Sequence, residues 1–196
     1  MPPAAVTLTP QRIGVIGVGH VGLISAATAA EMGHDVVAMD LDAAKIELLE
    51  GGKLPFTSPA WTSSSRPRSK SGRLRFTTRP ADAVNDAEVV LICADRPSTP
   101  AGDTSLTAVE AVGREIAQHA AAGVVIAEKS TVPPGTADRL RLTIAREQPG
   151  LTFSVVANPE FLREGQAVED SLTPDRIVVG ADDERGFQAM RALPLP

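Results

Sequence analysis

The sequence predicts an α/β fold built on a doubly wound parallel sheet. Strand-sized apolar segments alternate with helical segments along most of the 196 residues, a pattern typical of parallel strands joined by right-handed helical crossovers. The first strand runs directly into the glycine-rich turn of residues 17–22 (GVGHVG), and the second ends on the acidic residue Asp40. Together these features indicate a Rossmann-like nucleotide-binding domain.

The amino-terminal elements follow from apolar runs and turn residues. Residues 12–17 (RIGVIG) predict a buried strand. The Ala-rich stretch 20–31 predicts a helix that stops before Gly33. A second strand is expected over 35–40 and a second helix over 42–49. This order is the βαβ unit that opens dinucleotide-binding domains.

The alternation continues through the rest of the chain. It predicts strands over 88–93, 124–128, 152–157 and 176–180, and helices over 105–121, 135–146 and 184–193. We expect one domain over residues 12–182, followed by a truncated helix and tail over 183–196, so that the start of a following segment is missing.

Two segments lie outside this pattern. Residues 1–11 contain prolines and no apolar run, and we expect a flexible leader. Residues 62–72 (TSSSRPRSKSG) are rich in serine and basic residues without apolar periodicity, which predicts a mobile surface loop. A phosphate- or nucleic-acid-binding role is the alternative, and the absence of interleaved aromatic residues favours a solvated loop.

The composition excludes several classes of function. Hydrophobic residues make up 43%, charged residues 22%, and the net charge is −5, values typical of a globular protein without an electrostatic footprint for nucleic acid. No apolar run approaches the roughly 20 residues that span a membrane, and residues 1–10 do not resemble a secretory signal. The single cysteine, Cys93, excludes an internal disulfide. We therefore expect a cytoplasmic protein that acts on small molecules, without a metal site.

The glycine turn and Asp40 predict NAD as the cofactor. Gly17 permits the tight turn, Gly19 lets the backbone approach a diphosphate, and Gly22 permits close packing of the helix on the strand. Asp40 is placed to accept the ribose hydroxyls and would repel the 2′-phosphate of NADP. Lys45, one helical turn past residue 42, either reaches the same ribose or faces water.

Two further segments follow strands, where ligands of open α/β sheets bind. In residues 128–136 (EKSTVPPGT), Thr131 is placed to hold a water or hydroxyl, with helix capping as the alternative. In residues 158–165 (NPEFLREG), Glu160 and Glu164 share one face of a helical turn. Paired carboxylates at this position predict general acid/base catalysis. The alternative is that they are ordinary acidic residues at the start of a helix.

These segments resemble the amino-terminal part of the UDP-glucose 6-dehydrogenase and GDP-mannose 6-dehydrogenase family from Arg12 to about Gly180. The resemblance is carried, in order, by GVGHVGL, DLDAAKIELLEGGKLPF, GRLRFTT, KSTVPPGT, NPEFLREGQAVED and PDRIVVG. KSTVPPGT together with NPEFLREG is the most specific combination. The DRIVVG segment favours the UDP-glucose branch.

The resemblance implies oxidation of a sugar C6 alcohol to a carboxylate with two NAD and a covalent thioester on a cysteine. It implies that Thr131 and Glu160 are catalytic, and that residues 160–164 contact the nucleotide sugar, most simply UDP-glucose. The implied cofactor-binding set is Gly17, Val18, Gly19, His20, Val21, Gly22, Asp40, Lys45, Ser130, Thr131 and Glu164, and the implied substrate-binding set is Glu160, Phe161, Leu162, Arg163 and Glu164.

Departures from the family pattern leave a second function open. Asp95-Arg96-Pro97 stands where the family has Gly-Thr-Pro. The family's nucleophilic cysteine and catalytic lysine lie in later segments, and Cys93 ends an apolar strand, as expected for a buried core residue. The chain is thus predicted to have little or no activity alone. One alternative function is a non-catalytic NAD-binding module that pairs with a full-length relative. Another is an NAD enzyme of the hydroxyacid type. The chain is also expected to form a homo-oligomer or to pair with a separate carboxyl-terminal part.

Overall fold

The computed structural model describes residues 9–54, 72–94, 107–163 and 166–193. Seven strands are present in this part of the chain: β1 (Arg12–Ile16), β2 (Asp35–Met39), β3 (Leu74–Thr77), β4 (Val89–Ile92), β5 (Val124–Glu128), β6 (Phe153–Ala157) and β7 (Gly180–Ala181). The helices are α1 (His20–Glu31), α2 (Ala43–Glu50), α3 (Pro80–Val84), α4 (Thr107–His119), α5 (Thr136–Glu147), α6 (Ala167–Leu172) and α7 (Glu184–Ala192).

The strands form one sheet in the order β3-β2-β1-β4-β5-β6-β7. Every pairing from β3 to β6 is parallel, and β7 pairs antiparallel with β6. The predicted doubly wound α/β fold is therefore confirmed, with an antiparallel strand at one edge. The chain direction across the sheet reverses between β1 and β4, which opens a crevice beyond their carboxyl ends, where ligands of such folds bind.

Two apolar layers cover the faces of the sheet. Alternate residues of each central strand enter opposite layers, since side chains of a strand point to opposite faces. Val15 and Leu91 pack beneath α1, whereas Val90 and Ile92 pack with α4 and α5. All four of these side chains are buried, so the strand ends that border the crevice are held on a rigid base.

The strand predicted over 176–180 is wrong for most of its length. Only Gly180 and Ala181 pair with β6. The Val178 carbonyl instead accepts a hydrogen bond from the Asn158 side chain at 2.9 Å, and the Val178 side chain is 41% exposed. A side-chain amide thus replaces the strand ladder at this position.

The alternation pattern also missed β3, α3 and α6. These elements have only 4, 5 and 6 residues, too few for a clear period. Residues 1–8 of the predicted leader, residues 62–71 of the predicted loop and residues 105–106 of the predicted helix lie outside the described residues. Among the helices that are described, none is long and apolar enough to cross a membrane.

His34 makes the stability of this fold sensitive to acid. Its side chain is fully buried, and its Nδ1 accepts a hydrogen bond from the Gln11 backbone N–H at 3.1 Å. Burial lowers the pKa of His34 below the ordinary 6.5, and the positive charge of Arg73 lowers it further. Protonation would place a proton on the nitrogen that now accepts, so the folded state disfavours the charged imidazole.

We expect the free energy of unfolding to fall as the pH drops below about 6.5. The unfolded chain takes up the proton first, and the loss continues down to the lower pKa of the folded state. Urea unfolding at pH 7.5 and pH 5.0 measures this loss, which should be smaller in His34→Gln than in the unmutated chain. Equal dependence in His34→Gln would contradict the assignment to His34.

Candidate functional site

The glycine turn between β1 and α1 has the geometry that its sequence requires. Gly17 has φ of 92°, a left-handed conformation that glycine adopts without strain. A Cβ at Gly17 would lie 2.6 Å from the Cys93 carbonyl oxygen, and a Cβ at Gly22 would overlap the carbonyl oxygen of Gly17. Gly19 precedes α1, and no side chain caps the helix there. The positive end of the helix dipole is thus directed at the crevice, as anion binding requires.

Asp40 lies directly after β2, beside the glycine turn. Its Oδ2 accepts hydrogen bonds from the Val18 backbone N–H at 2.9 Å and from Lys45 Nζ at 2.7 Å. Its Oδ1 accepts one from the Asp42 N–H at 3.0 Å. Partial burial by itself raises the pKa of Asp40, but these three donors outweigh burial and hold the pKa below its ordinary value. Asp40 is therefore an anion at neutral pH.

A cleft of about 380 Å³ lies on the Asp40 side of the crevice. We call it the Asp40 cleft. Gly17, Asp40 and Lys45 form one wall, and Val112 and Glu115 of α4 belong to the opposite wall. The polar side chains of Asp40 and Lys45 suit the hydroxyls of a ribose, and the apolar remainder of the cleft suits the adenine base attached to it. The sequence pattern did not single out the two α4 residues, because an amphipathic helix gives no sign of which exposed positions border a cleft.

A second pocket, of about 180 Å³, lies on the other side of the glycine turn. We call it the Lys129 pocket. It is lined by Gly19, His20, Val21, Cys93, Ala94, Lys129, Ser130, Thr131 and Glu160. Three of the predicted site segments therefore meet here: the glycine turn, the residues after β5 and the residues after β6. This convergence follows from the parallel sheet, whose strands all end at the same edge.

Lys129, which lines this pocket, joins the end of β5 to the end of β6 through Asn158. Both side chains are fully buried, and Lys129 Nζ donates a hydrogen bond to Asn158 Oδ1 at 3.0 Å. Burial lowers the pKa of Lys129 to about 8, against the opposing effects of Cys93 and Glu160. Neither residue was singled out in the sequence, although polar residues directly after buried strands were an available signal.

The predicted substrate segment is divided between two cavities. Glu160 borders the Lys129 pocket, and its Oε2 accepts a hydrogen bond from the Leu162 N–H at 2.5 Å. Phe161, Leu162 and Arg163 instead line a separate cavity of about 170 Å³. There the Arg163 guanidinium pairs with Asp170 of α6. Glu164 lies outside the described residues, as does Arg96.

Ser130 and Cys93 contribute to the pocket in different ways. Ser130 is fixed by its backbone N–H, which donates to Glu128 Oε1 at 2.9 Å, and by its hydroxyl, which donates to the Ala94 carbonyl at 3.2 Å. Cys93 is buried, as the sequence predicted. Burial raises the pKa of its thiol to about 12. A thiol that remains protonated is not an active nucleophile at neutral pH.

Comparison with known proteins identifies the family. The profile described as "UDP-glucose/GDP-mannose dehydrogenase family, NAD binding domain" matches residues 11–194. The chain belongs to this family. It is 43% identical over 177 residues to the UDP-glucose 6-dehydrogenase of Rhizobium meliloti, covering 90% of this chain and 40% of that protein. It is 34% identical over 190 residues to the GDP-mannose 6-dehydrogenase of Pseudomonas savastanoi, with 93% and 43% covered.

Solved structures of the family have the same fold. A UDP-glucose dehydrogenase from Pyrobaculum islandicum superposes with a TM-score of 0.87 at 35% identity, covering 96% of this chain and 44% of that one. A GDP-mannose dehydrogenase from Pseudomonas aeruginosa gives 0.85 at 33% identity, covering 93% and 43%. The chain thus spans about two fifths of the length of the relatives that it matches.

The residues of the crevice fit NAD, the cofactor of the family domain. The glycine turn can pack this closely against the end of β4 only because Gly17 and Gly22 lack side chains, and the uncapped amino terminus of α1 after Gly19 suits a diphosphate. The Asp40 carboxylate offers acceptors to a ribose and repels a 2′-phosphate. The predicted cofactor is confirmed by the family assignment. The individual contacts remain predictions.

Proposed function

We propose that this chain is the cofactor-binding and acid/base part of a nucleotide-sugar 6-dehydrogenase that converts UDP-glucose to UDP-glucuronate. The observation that carries the proposal is the Lys129 pocket, which places Thr131 and Glu160 beside the glycine turn. The similarity to UDP-glucose 6-dehydrogenases adds support, and the preference for UDP-glucose rests on the higher identity to them. We place the protein in the cytoplasm, in keeping with its lone buried thiol.

In this proposal the glycine turn, Asp40, Lys45 and Ser130 hold NAD across the crevice. When bound, NAD supplies the hydride acceptor for the C6 carbon of the sugar. Glu160 takes the proton of the C6 hydroxyl, directly or through a water that the Thr131 hydroxyl orients. Residues 161–164 contact the sugar nucleotide, and Phe161, which is 57% exposed, offers an accessible side chain for this contact.

The second oxidation needs a thiolate that this chain does not offer. Its single cysteine is buried, with a pKa of about 12. A thioester would therefore form on a cysteine outside these 196 residues. We accordingly propose that the chain alone turns over little substrate and acts together with a carboxyl-terminal part, either its own or that of a full-length relative. In the second case the chain would be a regulatory NAD-binding module.

The test is UDP-glucose-dependent NADH formation, measured for the chain alone and for a fusion to the unmatched remainder of the Rhizobium meliloti enzyme. We expect activity from the fusion, little from the chain alone, and less with GDP-mannose than with UDP-glucose. In the fusion, Glu160→Gln should lower kcat by about 100-fold or more, the usual contribution of a general acid/base.

The control variant for Glu160 is Glu169→Gln. Glu169 is an exposed carboxylate in α6, and its substitution should leave kcat unchanged. The proposal fails if Glu160→Gln keeps more than half of the activity, or if the fusion oxidises a simple hydroxy acid in place of the nucleotide sugars.

A further inference from the structure

A buried lysine lies in the pocket where the sequence predicted only hydroxyl and carboxylate groups. Lys129 follows β5 directly, is 0% exposed to solvent, and borders the Lys129 pocket together with Thr131 and Glu160. Its backbone is fixed by a hydrogen bond from its N–H to the Ile92 carbonyl at 2.9 Å. Its Nζ is fixed by Asn158. A charge held this rigidly acts on whatever enters the pocket.

The topology indicates which end of the cofactor enters. Asp40 lies at the end of β2, and the Lys129 pocket lies at the ends of β4, β5 and β6. The two are therefore on opposite sides of the crevice where the chain direction across the sheet reverses. A dinucleotide with its adenosine ribose at Asp40 and its diphosphate at α1 extends its other end toward β4 and β5. The nicotinamide ring therefore lies at the Lys129 pocket.

We propose that the Lys129 side chain discriminates between the two redox states of the cofactor by charge, weakening the binding of NAD⁺ relative to NADH. The oxidised nicotinamide ring carries a positive charge, and the reduced ring carries none. A buried cation such as Lys129 repels the oxidised ring and has no net charge to repel on the reduced ring. Tighter binding of the reduced form favours hydride transfer to the bound cofactor, because the bound equilibrium shifts with the ratio of the two affinities.

Other titratable groups surround Lys129. Glu160 faces it from the segment after β6, and Cys93 faces it from the end of β4. Glu128 is buried at the end of β5, and His20 of α1 lies on another wall of the pocket. Removing the lysine charge takes one positive charge from the pocket and leaves Glu160 on its wall. The variant should therefore bind NAD⁺ better and NADH about as before.

The first measurement is the ratio of the dissociation constants of NAD⁺ and NADH at pH 7.0. NADH fluorescence gives one constant, and competition by NAD⁺ gives the other. In Lys129→Met the ratio should fall by about tenfold, as expected for the loss of one charge several ångströms away in a partly shielded site. The control Lys53→Met removes an exposed lysine. Its charge is screened by water and salt, so the ratio should stay within about twofold of its value in the unmutated chain. An unchanged ratio in Lys129→Met would overturn the proposal.

The second measurement needs no variant and so does not depend on the folding of Lys129→Met. Because Lys129 has a pKa of about 8, it loses its charge between pH 7.0 and pH 9.5. The affinity of the unmutated chain for NAD⁺ should rise over this interval while that for NADH stays level. A constant ratio across this interval would overturn the proposal. Both measurements use the cofactor alone, so they are independent of the proposed sugar oxidation.

Discussion

Replacing Gly17 with alanine is expected to lower the free energy of unfolding by about 3 kcal/mol or more, the sum of a left-handed backbone cost and an overpacking cost. The backbone cost arises because φ at Gly17 is 92°. The overpacking cost arises because the new Cβ would lie 2.6 Å from the Cys93 carbonyl oxygen and 2.9 Å from the Ala94 Cα. Both neighbours are backbone atoms at the end of β4, so neither can move without disturbing the sheet.

Gly150 provides a matched control for this prediction. Its φ is 96°, and a Cβ there would meet no atom within 4 Å. Gly150→Ala therefore keeps the backbone cost and lacks the clash, and we expect a loss of about 1 kcal/mol. Urea unfolding of both variants at one pH gives the difference directly. Similar losses for the two would show that the β1 turn can relax, and would contradict the close approach on which the diphosphate site depends.

Gly17→Ala should also weaken NAD binding more than its loss of stability explains. Displacement of the turn moves the amino terminus of α1 away from the diphosphate. Calorimetric titration below the melting temperature of the variant separates this effect from unfolding. Gly150→Ala should bind NAD like the unmutated chain, because Gly150 lies between α5 and β6, at the opposite end of β6 from the crevice.

The opening βαβ unit could be predicted because its determinants are local. Gly17, Gly22 and Asp40 lie within 24 positions of one another, and each has a requirement that few other residues meet. The buried runs of β4 and β5 were equally clear, since both faces of a central parallel strand are covered and every residue of each strand is buried.

The remaining features depend on contacts between distant segments. The Val178 carbonyl accepts a hydrogen bond from the side chain of Asn158, 20 positions away. No pattern within residues 176–180 could show that this hydrogen bond would replace strand pairing. Residues 160–163 are divided between two cavities, and in the second of them Arg163 pairs with Asp170 of α6, a helix too short to predict. The contact between Lys129 and Asn158 likewise depends on β5 and β6 lying side by side in the sheet.

Replacing Asp40 with alanine is expected to weaken NAD binding by about 10- to 100-fold and to abolish the discrimination against NADP. Hydrogen bonds to a charged acceptor contribute about 1.5–3 kcal/mol, and the ribose hydroxyls would lose theirs. The same substitution releases Lys45 Nζ, now 2.7 Å from Asp40 Oδ2. An ammonium freed from its carboxylate can approach a 2′-phosphate, so NADP should bind better to the variant than to the unmutated chain.

Asp42→Ala is the control for Asp40→Ala. It removes a nearby carboxylate of the same charge from a different position, and so tests whether the position of Asp40 matters. Asp42 lies two residues further on, and its side chain caps α2 by accepting hydrogen bonds from the Ala44 and Lys45 backbone N–H groups. Its loss should cost about 1 kcal/mol of stability, as for other helix caps, and should leave the ratio of NAD to NADP affinity unchanged. Calorimetric titration of both cofactors into the two variants measures that ratio. If Asp40→Ala kept the original preference for NAD, the Asp40 carboxylate would not be the group that selects the cofactor, and the selectivity would have to come from the opposite wall of the Asp40 cleft, formed by α4.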